Sequence, residues 1–505
     1  MAFVDDFLNT ITMYRLVLYY LLVLLGLAAL FSLFGILPYH PADLAFSTLI
    51  ILTTCWATNT IFAKSFGAAT NVESVYITGL ILALIITPVA LVNYVGIGFL
   101  IFASAWAMAS KYIFAIGKKH IFNPAAFGVA LSALILNQSA SWWVGGNLSL
   151  LPFVFLGGLL IVRKIRRFDL VLAFAVVTLF TIVATANGNG PTAVVQTLLH
   201  SPFFFLGLVM LTEPLTMPPS RSLRLIYGAI VGFLFAPNIH IGSFYFTPEL
   251  ALLIGNLYAS VVSPQGRFVL TLIAKNRLAN GTYEFVFAPD RPFLFRAGQY
   301  LEWTLPHRPA DSRGNRRFFT IASSPTEADG MIRIGAKFYE SQSSFKRALN
   351  AMQVNDTLSV SHLAGDFVLP KNKTKKLVFI AGGIGITPFR SMVQQLINTK
   401  DRRPVTLLYA NKTASEIAYK DIFDTARRTI GMKTVYAITN ESARIPGTYT
   451  GMIDEALIER EVPDYRERTF YISGPHGMVE SFKKTLRGMG VSRSRIETDY
   501  FPGFA

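Results

Sequence analysis

Residues 375–397 read KKLVFIAGGIGITPFRSMVQQLI. The apolar run at 377–381, entered from a lysine pair and left through glycines, reads as a strand buried on both faces. It runs into GGIGITP at 382–388 and then into a helix opened by Thr387 and Pro388. Glycines at 382, 383 and 385 let the backbone approach a pyrophosphate, and the helix N-terminus supplies N–H donors and a positive dipole end. The turn is not GxGxxG, and alone it is weak evidence. Further on, LLYANKT at 407–413 and TFYISGPHGM at 469–478 each end a strand in a turn. Ends of parallel strands are where nucleotides bind in such sheets. Strands alternating with helical stretches make 374–505 an α/β nucleotide-binding domain.

Upstream, RFVLTLIAKN at 267–276 and GTYEFVFAP at 281–289 alternate with period two and are parted by turn residues. They predict a small β-barrel over 265–373. Its segment RFFTIASSP at 317–325 offers a guanidinium, an aromatic ring and a hydroxyl on one strand. Arg317 can fork onto a pyrophosphate. Alternation puts Phe319 on the same face, where it can stack on a flat ring, and Thr320 can hydrogen-bond a ring nitrogen. Taken alone, a plain strand with an exposed arginine explains the segment better.

Residues 1–264 are different in kind. Of 505 residues 52% are hydrophobic and 15% charged, against about 25% charged in an ordinary soluble domain. Mean hydropathy is +0.44, which excludes a wholly soluble protein. The net charge of +16 divides unevenly: residues 1–264 hold 11 Lys/Arg and 7 Asp/Glu, residues 265–505 hold 35 and 23. The basic bias of the second part suits phosphate-bearing cofactors and an anionic membrane surface, and equally a solvated basic face; it does not call for nucleic acid. Ten helices are predicted at 14–36, 43–61, 74–92, 95–113, 122–137, 150–163, 168–186, 199–212, 223–237 and 247–264. Several fall short of the roughly 20 residues of a full span. The first run is too long for a signal peptide, and no small-residue cleavage site follows it.

Alternate connections carry Lys64; Lys111, Lys118 and Lys119; Arg163, Lys164, Arg166 and Arg167; Arg221 and Arg224. The connections at 37–42, 93–94, 138–149, 187–198 and 238–246 carry no Lys or Arg. The positive-inside rule then predicts a multi-pass cell-membrane protein with both termini in the cytoplasm. The fold class expected is thus a multi-pass α-helical membrane domain, then a β-barrel, then an α/β domain.

In this order, RFFTIASSP, AGDFVLP, GGIGITPFRSM, LLYANKT, YISGPHGMV and the terminal DYFPGFA resemble the ferredoxin–NADP⁺ reductase family over about 240 residues. The resemblance implies an NAD(P)H-dependent FAD-containing oxidoreductase. FAD would lie on the barrel at Arg317, Phe319, Thr320, Ser323 and Lys337, with Ser343, Ser344 and Phe345 at its phosphates. NAD(P)H would lie at Gly382, Gly383, Gly385, Thr387, Pro388 and Asn411, with Ser473, Gly474 and Pro475 near the nicotinamide. Ser473 stands where many members have a cysteine, and the end is FPGFA rather than a tyrosine, which leaves Phe504 as the aromatic at the flavin ring. Hydride transfer needs no protein acid or base, so no catalytic residue and no metal is expected. Lys412, Arg402 and Arg403 can meet a 2′-phosphate and nothing acidic claims the ribose hydroxyls, which favours NADPH.

In the apolar part, KKHIFNPAAFG at 118–128 sets Asn123 at a helix start, VMLTEPLTMPPS at 209–220 sets Glu213 at a helix end, and GNGPTAVVQTLLH at 188–200 lies in a connection. Singly the prolines and glycines read as helix ends and turns; an acid near a membrane helix is a functional candidate. Together they resemble the flavin-bearing membrane proteins of the Rnf complex and of the sodium-translocating NADH:quinone reductase. The resemblance implies FMN, by a phosphoester to Thr192 in Asn189-Gly190-Pro191-Thr192, or a non-covalent flavin such as riboflavin.

The seven histidines, His40, His120, His200, His240, His307, His362 and His476, form no mid-helix pair, which speaks against haem. Cys55 reads as a small buried hydrophobe, and Trp142-Trp143 as an outer aromatic belt. Electrons are expected to pass from cytoplasmic NAD(P)H through FAD to a flavin in the membrane domain, and on to a quinone or outer-face acceptor. The hydrocarbon core is about 30 Å thick, too far to cross without a second carrier. A redox-driven Na⁺ or ion transporter, or a membrane-anchored reductase for a separate protein, are the alternatives. Membrane lipid and further copies of the chain are the other partners expected.

Overall fold

The computed structural model describes the chain apart from residues 1–3, 5–6, 9–10, 68–71, 117–118, 187, 264–266, 293, 310, 312–313, 341, 441–446 and 500–505. Phe504 and Lys118 therefore lie outside the described residues. The chain divides into two compact units, Met1–Gly266 and Arg267–Ala505.

The first unit is helical. Among the described residues, four helices are long and apolar enough to cross a membrane: α1 (Met13–Leu33), α2 (Pro41–Ser65), α4 (Tyr94–Ile113) and α7 (Phe168–Thr185). Their apolar residues do not all turn inward, for Leu33, Leu49, Ile61, Leu172 and Phe180 stay exposed. A helix apolar on every side suits a hydrocarbon surround. Between and after them come α3 (Val72–Ile85), α5 (Pro124–Leu136), α6 (Leu151–Ile165), α8 (Gly190–His200), α9 (Phe203–Met210), α10 (Arg221–Phe235) and α11 (Pro248–Val262). Cys55 is fully buried in α2.

Three expectations are corrected here. The segment 187–198 is not an open connection, because α8 starts at Gly190 with Pro191 in its first turn. Proline there loses nothing, since that N–H has no helical partner anyway. The helix expected at 199–212 begins only at Phe203; α8 and α9 bend 67° apart at Ser201-Pro202. Trp142 and Trp143 are not a belt either: they are 4% and 6% exposed. The last carbonyls of a helix need donors, and this segment supplies them to α3. Trp143 Nε1 donates to Ala83 O at 3.2 Å and Ile86 O at 3.0 Å. The Trp142 and Val144 N–H groups donate to Ile85 O at 2.8 Å and Leu84 O at 3.4 Å.

The second unit holds two six-stranded sheets. The first contains β1 (Phe268–Ala279), β2 (Thr282–Pro289), β3 (Tyr300–Thr304), β4 (Arg316–Thr320), β5 (Ile332–Lys337) and β6 (Thr357–Ala364). It is antiparallel, in the order β4-β3-β6-β1-β2-β5. Just past β4, Ala322 N donates to Arg333 O of β5 at 2.7 Å, tying one edge to the other. Trp303, Phe285, Phe287 and Phe345, the last from α12 (Ser344–Ala351), fill its interior.

The second sheet is parallel: β7 (Leu377–Gly382), β8 (Val405–Asn411), β9 (Lys433–Ile438), β10 (Thr448–Thr450), β11 (Thr469–Ser473) and β12 (Ile496–Asp499), in the order β10-β9-β8-β7-β11-β12. Residues 377–381 are wholly buried, as an unbroken apolar run in a central parallel strand should be. The chain steps from β7 outward through β10, then returns to the other side of β7 as β11. That reversal opens a crevice at the carboxyl ends of β7 and β11, the position where such sheets hold nucleotides.

Candidate functional site

Three strand ends meet that crevice. Gly382 ends β7, Asn411 ends β8 and Ser473 ends β11. After Gly382 the chain makes one tight turn, Gly383–Ile386, and enters α13 (Thr387–Asn398) with Pro388 in its first turn. Gly383 has φ +51°. Gly385 is glycine for want of space: a Cβ there would stand 2.5 Å from Ser473 O and 2.6 Å from Gly474 Cα. A Cβ on Gly382 would strike Met478 Sδ. Thr387 Oγ1 donates to Ile384 O at 3.2 Å, closing the turn. Tyr409 OH donates to Gly383 O at 3.1 Å. Burial raises the Tyr409 phenol well above its ordinary pKa, so it stays a neutral donor. Pro475 leads into α16 (His476–Gly488); α14 (Lys420–Ile430) and α15 (Glu455–Glu461) lie between. Asn411 is 5% exposed, and its side-chain amide lies beside the Tyr409 phenol with no other partner among the described residues. A buried amide of that kind is expensive without a bond. Bare backbone in the turn and a buried, under-satisfied amide at the next strand end fit a dinucleotide.

The second constellation lies on the antiparallel sheet. Arg317 Nη2 pairs with Asp311 Oδ1 at 3.2 Å, and its Nη1 donates to Arg316 O at 2.7 Å and Gly314 O at 3.1 Å. Asp311 Oδ2 also accepts the N–H of Ser344, the first residue of α12, at 3.0 Å. A guanidinium and a helix N-terminus thus converge on one anionic position, which the chain's own carboxylate shows to be suited to an anion. These are the donors a pyrophosphate takes. The aromatic part sits alongside: Arg317 Cζ lies 5.3 Å from the centre of Phe345, and Phe319 lies 5.9 Å from Phe345 and 6.2 Å from Trp303. Arg317 and Phe319 therefore share a face, as alternation requires, while Phe318 turns to Tyr300. Thr320 ends the strand, buried, opposite Tyr300. Ser343 caps α12, its Oγ accepting from Lys346 N at 3.3 Å.

Some expected residues are held elsewhere. Phe345 is fully buried, a floor beneath Arg317 and Phe319. Ser323 is also fully buried, and its Oγ accepts from Arg333 N at 3.1 Å. Lys337 pairs with Glu416 at 2.9 Å, away from the Arg317 cluster. Conversely, Asp311 and His307 belong to that cluster and are not marked by any motif in the sequence; His307 Nε2 lies 2.9 Å from Ser344 Oγ. A carboxylate a few residues before Arg317 is their only signal.

Arg402 and Arg403 are a correction. Both precede β8, at the amino edge of the parallel sheet, about 20 Å of strand away from the crevice. Arg403 pairs instead with Asp401 at 2.7 Å, both side chains being buried. Only Lys412 follows the carboxyl end of β8. Arg403→Ala is therefore expected to lower the melting temperature and leave the NADPH/NADH ratio of kcat/KM unchanged. Lys412→Ala is expected to shift that ratio toward NADH by about tenfold, one lost charged hydrogen bond. Steady-state assays with both nucleotides check this pair.

In the helical unit, Asn123 and Glu213 do meet. Asn123 Nδ2 donates to Glu213 Oε2 at 2.9 Å, Thr216 Oγ1 does so at 3.2 Å, and His120 Nε2 lies 3.3 Å from Oε1. Asn256 Oδ1 accepts the Asn123 N–H at 2.8 Å. Thr192 stands apart from that cluster, in the first turn of α8 and exposed. Three other acids of the unit have partners too: Glu73 with Arg15 at 3.0 Å, Asp169 with Arg224 at 2.9 Å, and Glu249 with Trp142 Nε1 at 3.0 Å.

Residues 379–484 match the family described as the oxidoreductase NAD-binding domain. The flavohemoprotein of Pseudomonas putida is 28% identical over 254 residues, covering 49% of this chain and 63% of that protein. The phenol hydroxylase P5 protein of Acinetobacter pittii is 27% identical, covering 42% of this chain and 59% of that one. Among solved structures, the flavohem-like FAD/NAD binding domain of nitric oxide dioxygenase from Vibrio cholerae covers 46% of this chain and 98% of itself, at 21% identity and a TM-score of 0.42. The chain spans less than two thirds of the length of both curated relatives. The C-terminal unit thus contains a match to the oxidoreductase NAD-binding domain and is similar to the reductase parts of these relatives.

Proposed function

We propose that this chain is a membrane flavo-oxidoreductase that draws electrons from NAD(P)H on the cytoplasmic side and delivers them into its helical unit. One observation carries the reading: a nucleotide crevice and a pyrophosphate-type anion position lie within one unit, on a chain whose other unit turns long apolar helices outward. FAD would supply the ring that accepts a hydride, two electrons with one proton, from a dihydronicotinamide, which is oxidised as the flavin is reduced. Arg317 and the Ser344 N–H would hold its pyrophosphate, and Phe319 would flank its ring. The Gly382–Gly385 turn, Asn411 and Ser473 to Pro475 would seat the nicotinamide nucleotide. No side chain is required to carry a proton.

Within the helical unit, a second flavin would continue the path toward a quinone or an outer-face acceptor. Support comes from the likeness to flavin-bearing membrane proteins and from the exposed hydroxyl of Thr192. Asn123 and Glu213 bond to each other, so they are better read as fixing the start of α5 than as holding a group on Thr192.

A second reading has its own support. Relatives include a terephthalate 1,2-dioxygenase reductase component and a glycine betaine monooxygenase reductase subunit, so the electrons would go to a separate protein. Acid precipitation of the detergent-purified chain, with identification of released flavins and the mass of the remaining polypeptide, separates the two. FAD plus a second flavin is expected. A mass increment of one FMN that vanishes in Thr192→Ala would fix its attachment; FAD alone would favour the second reading.

A further inference from the structure

Arg390 and Ser391 follow the nucleotide-binding turn closely, near the start of α13. Neither belongs to the site as described above, and both are buried, at 6% and 0% exposure. Their side chains reach across to the other sheet. Arg390 Nη1 donates to Ala322 O at 3.0 Å and also bonds to the Glu327 carboxylate. Ser391 Oγ donates to Ser323 O at 2.6 Å. Two turns on, Asn398 Nδ2 donates to Thr326 O at 3.0 Å. One helix thus holds the carbonyls of residues 322, 323 and 326, the turn that leaves β4 immediately after Arg317, Phe319 and Thr320.

The far side of that turn is braced as well. Glu327 accepts from Ser324 N at 2.8 Å and from Arg333 Nη1 at 2.7 Å. Arg390 also lies over the Tyr419 ring, its Cζ 5.7 Å from the centre. The arrangement places one charged, buried bridge between the two loops, with α13 as the rigid link.

We infer that Arg390, through Glu327 and the Ala322 carbonyl, is a positioning residue that sets the flavin-side strand against the nucleotide turn. The inference rests on the NAD(P)H–FAD reading proposed above. Two rings that exchange a hydride must sit within about 3.5 Å, and an error of about 1 Å costs on the order of 100-fold in rate. Arg390 is buried and its bonds go to the Ala322 carbonyl and to Glu327, so it would act on the alignment of the two sites and not on the occupancy of either.

The test uses the full-length, flavin-loaded chain and the variants Arg390→Gln, Arg390→Lys and Ser391→Ala. Three quantities are read: FAD per polypeptide, the change in flavin absorbance when NADP⁺ or NAD⁺ is added, and the limiting rate of anaerobic flavin reduction at saturating nucleotide. For Arg390→Gln we expect full FAD content, a weakened nucleotide-induced absorbance change, and a limiting rate about 100-fold lower. Arg390→Lys, which can keep one of the two bonds, should recover part of both. A merely structural arginine would lower the melting temperature and leave the absorbance change and the limiting rate within about threefold; that result overturns the inference. If Arg390→Gln loses its flavin, Ser391→Ala decides: a limiting rate lowered about tenfold supports the clamp, and an unchanged rate overturns it. A wild-type flavin that neither NADH nor NADPH reduces would overturn the proposed function and this inference together. A wild-type flavin that is reduced, with Arg390→Gln reduced equally fast, overturns this inference alone.

Discussion

Replacing Gly385 with valine is expected to abolish flavin reduction by NAD(P)H while leaving FAD in place. The neighbours that a Cβ would strike are backbone, Ser473 O at 2.5 Å and Gly474 Cα at 2.6 Å. A flexible side chain can turn away from such a contact, but two strand ends in one parallel sheet cannot. The Gly383–Ile386 turn must move, and with it the start of α13. The Arg317 position lies on the other sheet and keeps its partners. We expect kcat/KM for NAD(P)H to fall by at least about 100-fold, the scale of an ångström-sized misplacement. FAD content should stay near the wild-type value. A loss of less than about threefold would remove this turn from the site.

Arg317→Ala should do the reverse, emptying the chain of FAD before it harms nucleotide binding. The guanidinium is buried and forms charge-assisted bonds with the anion position that Asp311 marks. Such bonds contribute about 1.5–3 kcal/mol each, so FAD affinity should fall by about 10- to 100-fold. Lysine is a poor substitute, because it lacks the planar fork that spans Asp311, Gly314 O and Arg316 O together. The ratio of FAD to polypeptide after desalting checks both variants. Retention of FAD at the wild-type ratio in Arg317→Ala would place the pyrophosphate elsewhere.

Much of this was legible because it was local. The strand 377–381, its glycine turn and the helix behind it are written in consecutive residues, and so is the alternation that sets Arg317 and Phe319 on one face. What failed depended on partners far along the chain. Arg402 and Arg403 look available to a phosphate until the parallel sheet assigns them to the wrong edge. Trp142 and Trp143 look interfacial until the end of α3 is seen to need donors. Gly190 and Pro191 suggest a turn and also suit a helix start; the chain takes the second, and the helix buries Gly190 and Thr197, two turns apart. The bond from Arg390 to Glu327 joins residues 63 apart and carries no sequence mark at all.

The pairing of acids in the helical unit has a bearing on how the chain is made. Glu73 finds Arg15 already synthesised, 58 residues earlier. The other three partnerships run the opposite way in time. Asp169 waits 55 residues for Arg224, His120 waits 93 for Glu213, and Trp142 waits 107 for Glu249. An acid or a base left unpaired among apolar helices is costly. A chain that stops short of residue 213 lacks Glu213, Arg224 and Glu249 together, so His120, Asp169 and Trp142 are all left without these partners, whereas one that stops between 224 and 249 leaves only Trp142 waiting.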